Sequence, residues 1–93
     1  MSIFDSLFHY ANNWEVTETR SFTEEEINAV DQALVVNSNY GLSVCFFMFG
    51  GGKTFIPLSR DSELTAGDRV NLKQAKLLTL SREGEDDILR VQI

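Results

Sequence analysis

Apolar residues change their period several times along the chain, and each change marks an element. Ile3, Phe4, Leu7, Phe8 and Ala11 recur at helical spacing, with Asp5 near the start, where a carboxylate suits the positive end of a helix. This spacing predicts a short amphipathic helix over residues 2–11. Residues 15–20 alternate charged with β-branched or small side chains, which suits an edge strand or an extended connector. Thr23 and Glu26 then form a capping box, and Phe22 and Ile27 take the two positions of a hydrophobic staple. A second helix therefore begins near Thr23. Ile27, Val30 and Leu34 continue its stripe, yet Val30, Gln32, Leu34 and Val36 also fit a period of two, and Leu34-Val35-Val36 favours strand. The change from helix to strand is expected near Asp31.

Beyond it the pattern is that of hairpins. Asn37-Ser38-Asn39-Tyr40-Gly41 is dense in residues that tolerate left-handed backbone angles, so it turns the chain into a strand over 42–49. Gly50-Gly51-Gly52 turns it again into a strand over 53–58, where Pro57 cannot donate to a ladder and implies an edge or an end of pairing. Residues 59–68 read as a polar loop, with one helical turn begun by Asp61 or Ser62 as an option. In the region 70–81, Val70, Leu72, Leu78 and Leu80 share one parity while Gln74 and Lys76 interrupt it, as a bend or bulge would. Residues 83–87 form a hairpin loop, and 88–93 close the chain as a strand with Leu89, Val91 and Ile93 on one face. The expected class is α+β or mainly β. One or two short N-terminal helices precede about five strands in a small bent antiparallel sheet or barrel, OB-like or SH3-like by fold-level analogy alone.

Composition narrows the setting. A chain of 93 residues with 43% hydrophobic content makes one domain, residues 1–93, with enough core material to fold despite a net charge of −6. Its one cysteine, Cys45, lies in an apolar run and has no intramolecular partner, which fits a reducing, cytoplasmic setting. The N-terminus lacks the features of a signal peptide, and no apolar run approaches the roughly 18 residues of a membrane span, so no membrane role is expected. The charge is uneven: residues 1–46 hold seven acids and one base, whereas 47–93 hold seven of each. Between Phe49 and Arg82 the balance is positive.

Most chemistry is weighed out by what is missing. The stretch FMFGGGKTF invites comparison with a phosphate loop, but Phe47 stands where the motif needs its first glycine, and Thr54-Phe55-Ile56-Pro57 cannot begin the required helix. A hairpin turn is the better reading, since glycine supplies the positive φ that tight loops require. The only histidine, His9, and the apolar Cys45 make no convincing nucleophile and base, and Gly41-Leu42-Ser43-Val44 lacks the second glycine of a hydrolase elbow. One Cys with one His cannot supply a zinc set, and the acidic clusters at 24–26 and 85–87 read as helix-start charge and solvated turn. No enzyme, metal or cofactor is expected.

The surviving constellation is on the central hairpin. Alternation places Leu42, Val44, Phe46 and Met48 on one face of their strand and Ser43, Cys45, Phe47 and Phe49 on the other, where Lys53 and Phe55 of the next strand can join them. Aromatics beside cations on a β surface are what single-stranded nucleic-acid binders use, because bases stack and phosphates need neutralising. The candidate site is therefore Phe47, Phe49 and Phe55 for stacking, with Lys53, Arg69, Lys73 and Lys76 for phosphate. The competing reading buries those aromatics and leaves a protein-interaction or assembly module, whose partner is another protein or a second copy of the chain. A small-ligand pocket lined by phenylalanines is a third option.

Overall fold

The computed structural model describes residues 14–39 and 41–93. The helix expected over 2–11, and His9 with it, lie outside the described residues. The described chain runs β1 (Glu15–Ser21), α1 (Glu24–Ala29), β2 (Val30–Ser38), β3 (Gly41–Met48), β4 (Lys53–Pro57), β5 (Lys76–Ser81) and β6 (Ile88–Gln92). These strands form two antiparallel sheets, ordered β1-β5-β6 and β2-β3-β4. The protein is mainly β, with six strands in place of about five.

Local chemistry accounts for the connection from β1 to β2. The Thr23 hydroxyl accepts the Glu26 N–H at 3.1 Å and the Glu26 carboxylate accepts the Thr23 N–H at 2.8 Å, closing the capping box. The helix is only a short one and passes into β2 without a loop: Val30 is already extended while its N–H still bonds the Ile27 carbonyl. β-Branched Val30 makes the switch one residue ahead of the expected Asp31, and Asp31 is taken up as an irregularity in the β2-β3 register.

Each sheet contributes one face to a shared core of Ala33, Val35, Val44, Phe46, Leu58, Val70, Leu72, Ala75, Leu77 and Val91. Burying a residue such as Val35, Val44 or Phe46 contributes about 1.5–3 kcal/mol each. The Phe22 ring, from the β1-α1 connection, packs on Phe46 with centroids 5.9 Å apart. At the outer side of β2, residues 67–70 lie alongside like a short extra strand. The Gly67 N–H bonds the Val35 carbonyl, the Val35 N–H bonds the Asp68 carbonyl and the Val70 N–H bonds the Ala33 carbonyl, each at 2.8 Å.

The strand region expected over 70–81 breaks in two where Gln74 interrupts its parity, as a bend would. Residues 72–74 turn, tied by Gln74 N–H to the Asn71 carbonyl at 3.0 Å and Lys73 N–H to the Asn71 side chain at 3.0 Å. Only Lys76–Ser81 is strand. The turn resets the parity, so Leu77 joins the common core with Val70 and Leu72, and Leu78 is buried on the opposite face of its sheet. Residues 59–68 contain no helical turn.

The two sheets meet at a seam. Leu58, just past β4, makes a parallel bridge to Val91 of β6, and the Ser59 N–H bonds the Val91 carbonyl at 2.7 Å. Among the described residues β1 and the 67–70 segment, at the far ends of the array, do not pair with each other, so of the two expected forms, bent sheet or barrel, the sheets do not close into a barrel.

Candidate functional site

The glycine run between β3 and β4 reverses the chain. Met48 N–H bonds the Gly52 carbonyl at 3.2 Å, Gly51 N–H bonds the Met48 carbonyl at 3.0 Å, and Gly51 and Gly52 take φ of 94° and 87°. Side-chain-bearing residues avoid that backbone region, which explains glycine there. After Gly52 the chain enters a strand and not a helix, so no cradle of helix-start amides forms behind GGGKT.

Register then fixes which side chains share a face. Phe47 stands opposite Gln32 on one side and Lys53 on the other. In the next row, Arg69, Leu34, Cys45 and Phe55 lie side by side across four chain segments. Four of the seven candidate residues, Phe47, Lys53, Phe55 and Arg69, therefore lie on the face of the β2-β3-β4 sheet turned away from the core. The Lys53 Nζ sits 5.7 Å from the Phe47 ring centroid, a cation–π contact of about 0.5–1 kcal/mol when exposed. Arg69 is three strand spacings from Phe55, roughly 14 Å. At the centre of this face Cys45 is 2% exposed and Ser43 is buried with its hydroxyl bonded to that of Ser38.

The other three candidates are placed differently. β3 ends at Met48, so Phe49 leaves the ladder and stands in the turn, its N–H bonded to the Ala29 carbonyl at 3.1 Å. Lys73 is in the 72–74 turn, and Lys76 is in the other sheet, donating to the Ser21 hydroxyl at 2.8 Å. Neither lysine shares the face with Phe47 and Phe55. Their sequence proximity to Arg69 does not survive the turn at 72–74, which the interruption at Gln74 marks in the sequence.

Exposure is concentrated at the outer edge of this sheet. Phe49 is 70% and Phe55 54% exposed, while Phe47 is half-buried. β4 is an outermost strand of its sheet. Because the Leu58 N–H bonds the Leu42 carbonyl, alternation turns the backbone groups of Ile56 and Thr54 toward β3 and those of Phe55 and Lys53 outward. Pro57 marked this edge in the sequence, but which backbone groups face outward follows from the register with β3, which the sequence alone did not give.

No other chemistry converges here. Among the described residues no group of three or more His, Cys, Asp and Glu side chains is placed to hold a metal ion, and no helix is long and apolar enough to cross a membrane. No family model, curated protein or solved structure matches the chain.

Proposed function

We propose that the protein is a small non-catalytic binding module and that the β3-β4 hairpin takes single-stranded nucleic acid. The observation that carries this reading is the exposure of Phe49 and Phe55 on the same hairpin as Lys53. Two bases can stack on the two exposed rings, with Lys53 and, across the sheet, Arg69 supplying charge to the connecting phosphates. Lys73 and Lys76 drop out of the site. The acidic helix α1 adjoins the turn through the Ala29–Phe49 bond, so a strand would approach from the β4 side.

Fluorescence anisotropy tests this with labelled single-stranded and duplex oligonucleotides at low and near-physiological salt. The expected result is binding that prefers single strands and weakens with salt. Stacking worth roughly 1–3 kcal/mol per base predicts at least a tenfold loss for Phe55→Ala and a larger one when Phe49→Ala is added, with the fold intact. Absence of binding at low salt, or affinity unchanged in the double variant, defeats the reading.

A second reading is favoured by a separate observation, the outward backbone groups of Lys53 and Phe55. Such an edge can pair with β4 of a second copy, with Phe55 covered in the contact. Phe55→Pro removes an outward N–H without touching a bond to β3, so it should abolish self-association in sedimentation. A protein that sediments as a monomer at high concentration counts against this reading.

A further inference from the structure

The seam between the sheets carries a second, independent cluster. A pocket of about 330 Å³ opens there, lined by Gly41, Leu42, Leu58, Ser59, Arg60, Ser62 and Arg90. Two of its lining groups are guanidiniums, and neither has an acidic partner: among the described residues the one ion pair is Arg20 with Glu26. Arg90 is half-buried and held in place by donating one nitrogen to the Leu58 carbonyl at 2.9 Å, which leaves its remaining donors unused. Arg60 makes no hydrogen bond or ion pair among the described residues. The neighbouring carboxylate, Asp61, does not line the pocket and accepts the Ser59 hydroxyl. The Ser62 oxygen accepts the Leu64 N–H at 3.2 Å, and its own hydrogen is free to donate.

Two like charges lining one pocket repel, and the Arg90 guanidinium is pushed below its ordinary value, first by burial and then by Arg60. It nonetheless stays protonated across the physiological range. A doubly charged anion between the two groups would relieve that repulsion, and the planar donor forks of arginine match the oxygens of phosphate.

We propose that the Arg60–Arg90 pocket is a phosphate-binding site, with Ser62 as an added hydroxyl donor, open to inorganic phosphate or to the phosphomonoester of a small molecule. The site does not depend on the hairpin reading, since it shares no residue with it. Because the pocket straddles the Leu58–Val91 seam, an occupant would tie the two sheets together and raise stability by mass action.

The test is an NMR titration of the ¹⁵N-labelled protein with inorganic phosphate and, separately, with glycerol phosphate, each against sodium chloride at matched ionic strength. Saturable shifts at Ser59, Ser62 and the Arg90 side chain are expected with one or both phosphates, together with a raised melting temperature. Arg60→Gln, which removes no internal contact, should weaken the response at least tenfold. Arg90→Lys, which keeps a donor for Leu58, should weaken it as well, whereas Lys73→Gln should leave it unchanged. A response no different from chloride, or one that Arg60→Gln leaves intact, overturns the assignment.

Discussion

Each of the two sheets has two outermost strands, and β1 of one sheet and β4 of the other are built differently. β1 reads Glu-Val-Thr-Glu-Thr-Arg-Ser, exposed along nearly its whole length, with Glu15, Glu18 and Arg20 spaced along it and a register irregularity between Val16 and Glu18. β4 reads Lys-Thr-Phe-Ile-Pro in unbroken register with β3, and its centre is the exposed Phe55. Charge and bulges are the devices by which edges avoid pairing with other chains. β1 has both, and its exposed Val16 sits beside the bulge. β4 has a lysine at one end and a proline at the other, with an aromatic ring and outward backbone groups between. The difference leaves β4 the less protected edge and β1 the guarded one.

The largest effect that sharpens this comparison lies one strand inward. Phe46, on the core side of β3, is 4% exposed and packs against Phe22. Phe46→Ala should cost about 3–5 kcal/mol in chemical denaturation. Phe55→Ala, by contrast, should cost no more than about 0.5 kcal/mol, as exposed positions usually do. Comparable losses at the two positions would mean that the β4 edge belongs to the core, and the contrast between the edges would collapse.

The next effect concerns what fastens β1. Its Arg20 makes a two-pronged pair with Glu26, at 2.8 and 3.0 Å, and Glu26 is also the closing residue of the capping box on Thr23. β1 is thus tied to α1 by side chains, and among the described residues β4 has no ion pair of this kind. Thr23→Ala removes the cap and should lower stability by about 1 kcal/mol. In hydrogen exchange it should loosen the Glu24–Ala29 amides more than those of β4. Equal loosening at β4 would show that the two edges are coupled.

How much of this was legible depended on whether the signal was local. The capping box at Thr23 and Glu26, the glycine turn and the alternation of Val44 and Phe46 against Cys45 and Phe47 are read within a few residues, and they appear as expected. In the stretch 70–81 the interruption at Gln74 marked the break, whereas the Asn71 bonds that set the form of the turn depend on side-chain geometry that periodicity does not register. The pairing of residues 67–70 with β2, the Leu58–Val91 seam and the meeting of Arg60 with Arg90 are long-range, and no local pattern encodes them. Gly67, at φ 100°, is the one residue whose type hints that the chain doubles back there. For the same reason the hairpin part of the candidate face, Phe47, Lys53 and Phe55, could be assembled from alternation, whereas Lys73 in the 72–74 turn and Lys76 beyond it could not be placed.

The smallest effect is the charge in the β1 anchorage, and pH isolates it. The Arg20 guanidinium, followed by the Thr23 N–H, pulls the Glu26 carboxyl down to about 2. A folded value below the ordinary glutamate value of about 4.3 means that stability is fully present above the latter and is lost as pH falls through the former. Both partners are well exposed, at 39% and 41%, so solvent screening holds the contribution of the pair below about 1 kcal/mol. Glu26→Gln keeps an acceptor for the Thr23 N–H and removes the charge. Denaturation at low salt should show the native protein more stable than the variant at pH 7, with the gap closing between about pH 4.3 and about pH 2. Added salt at neutral pH should narrow the same gap. A difference that persists through acidification would assign the anchorage to the geometry of the cap and not to its charge, and β1 would then be held by a hydrogen-bonded turn, guarded by its charges but not fastened by them.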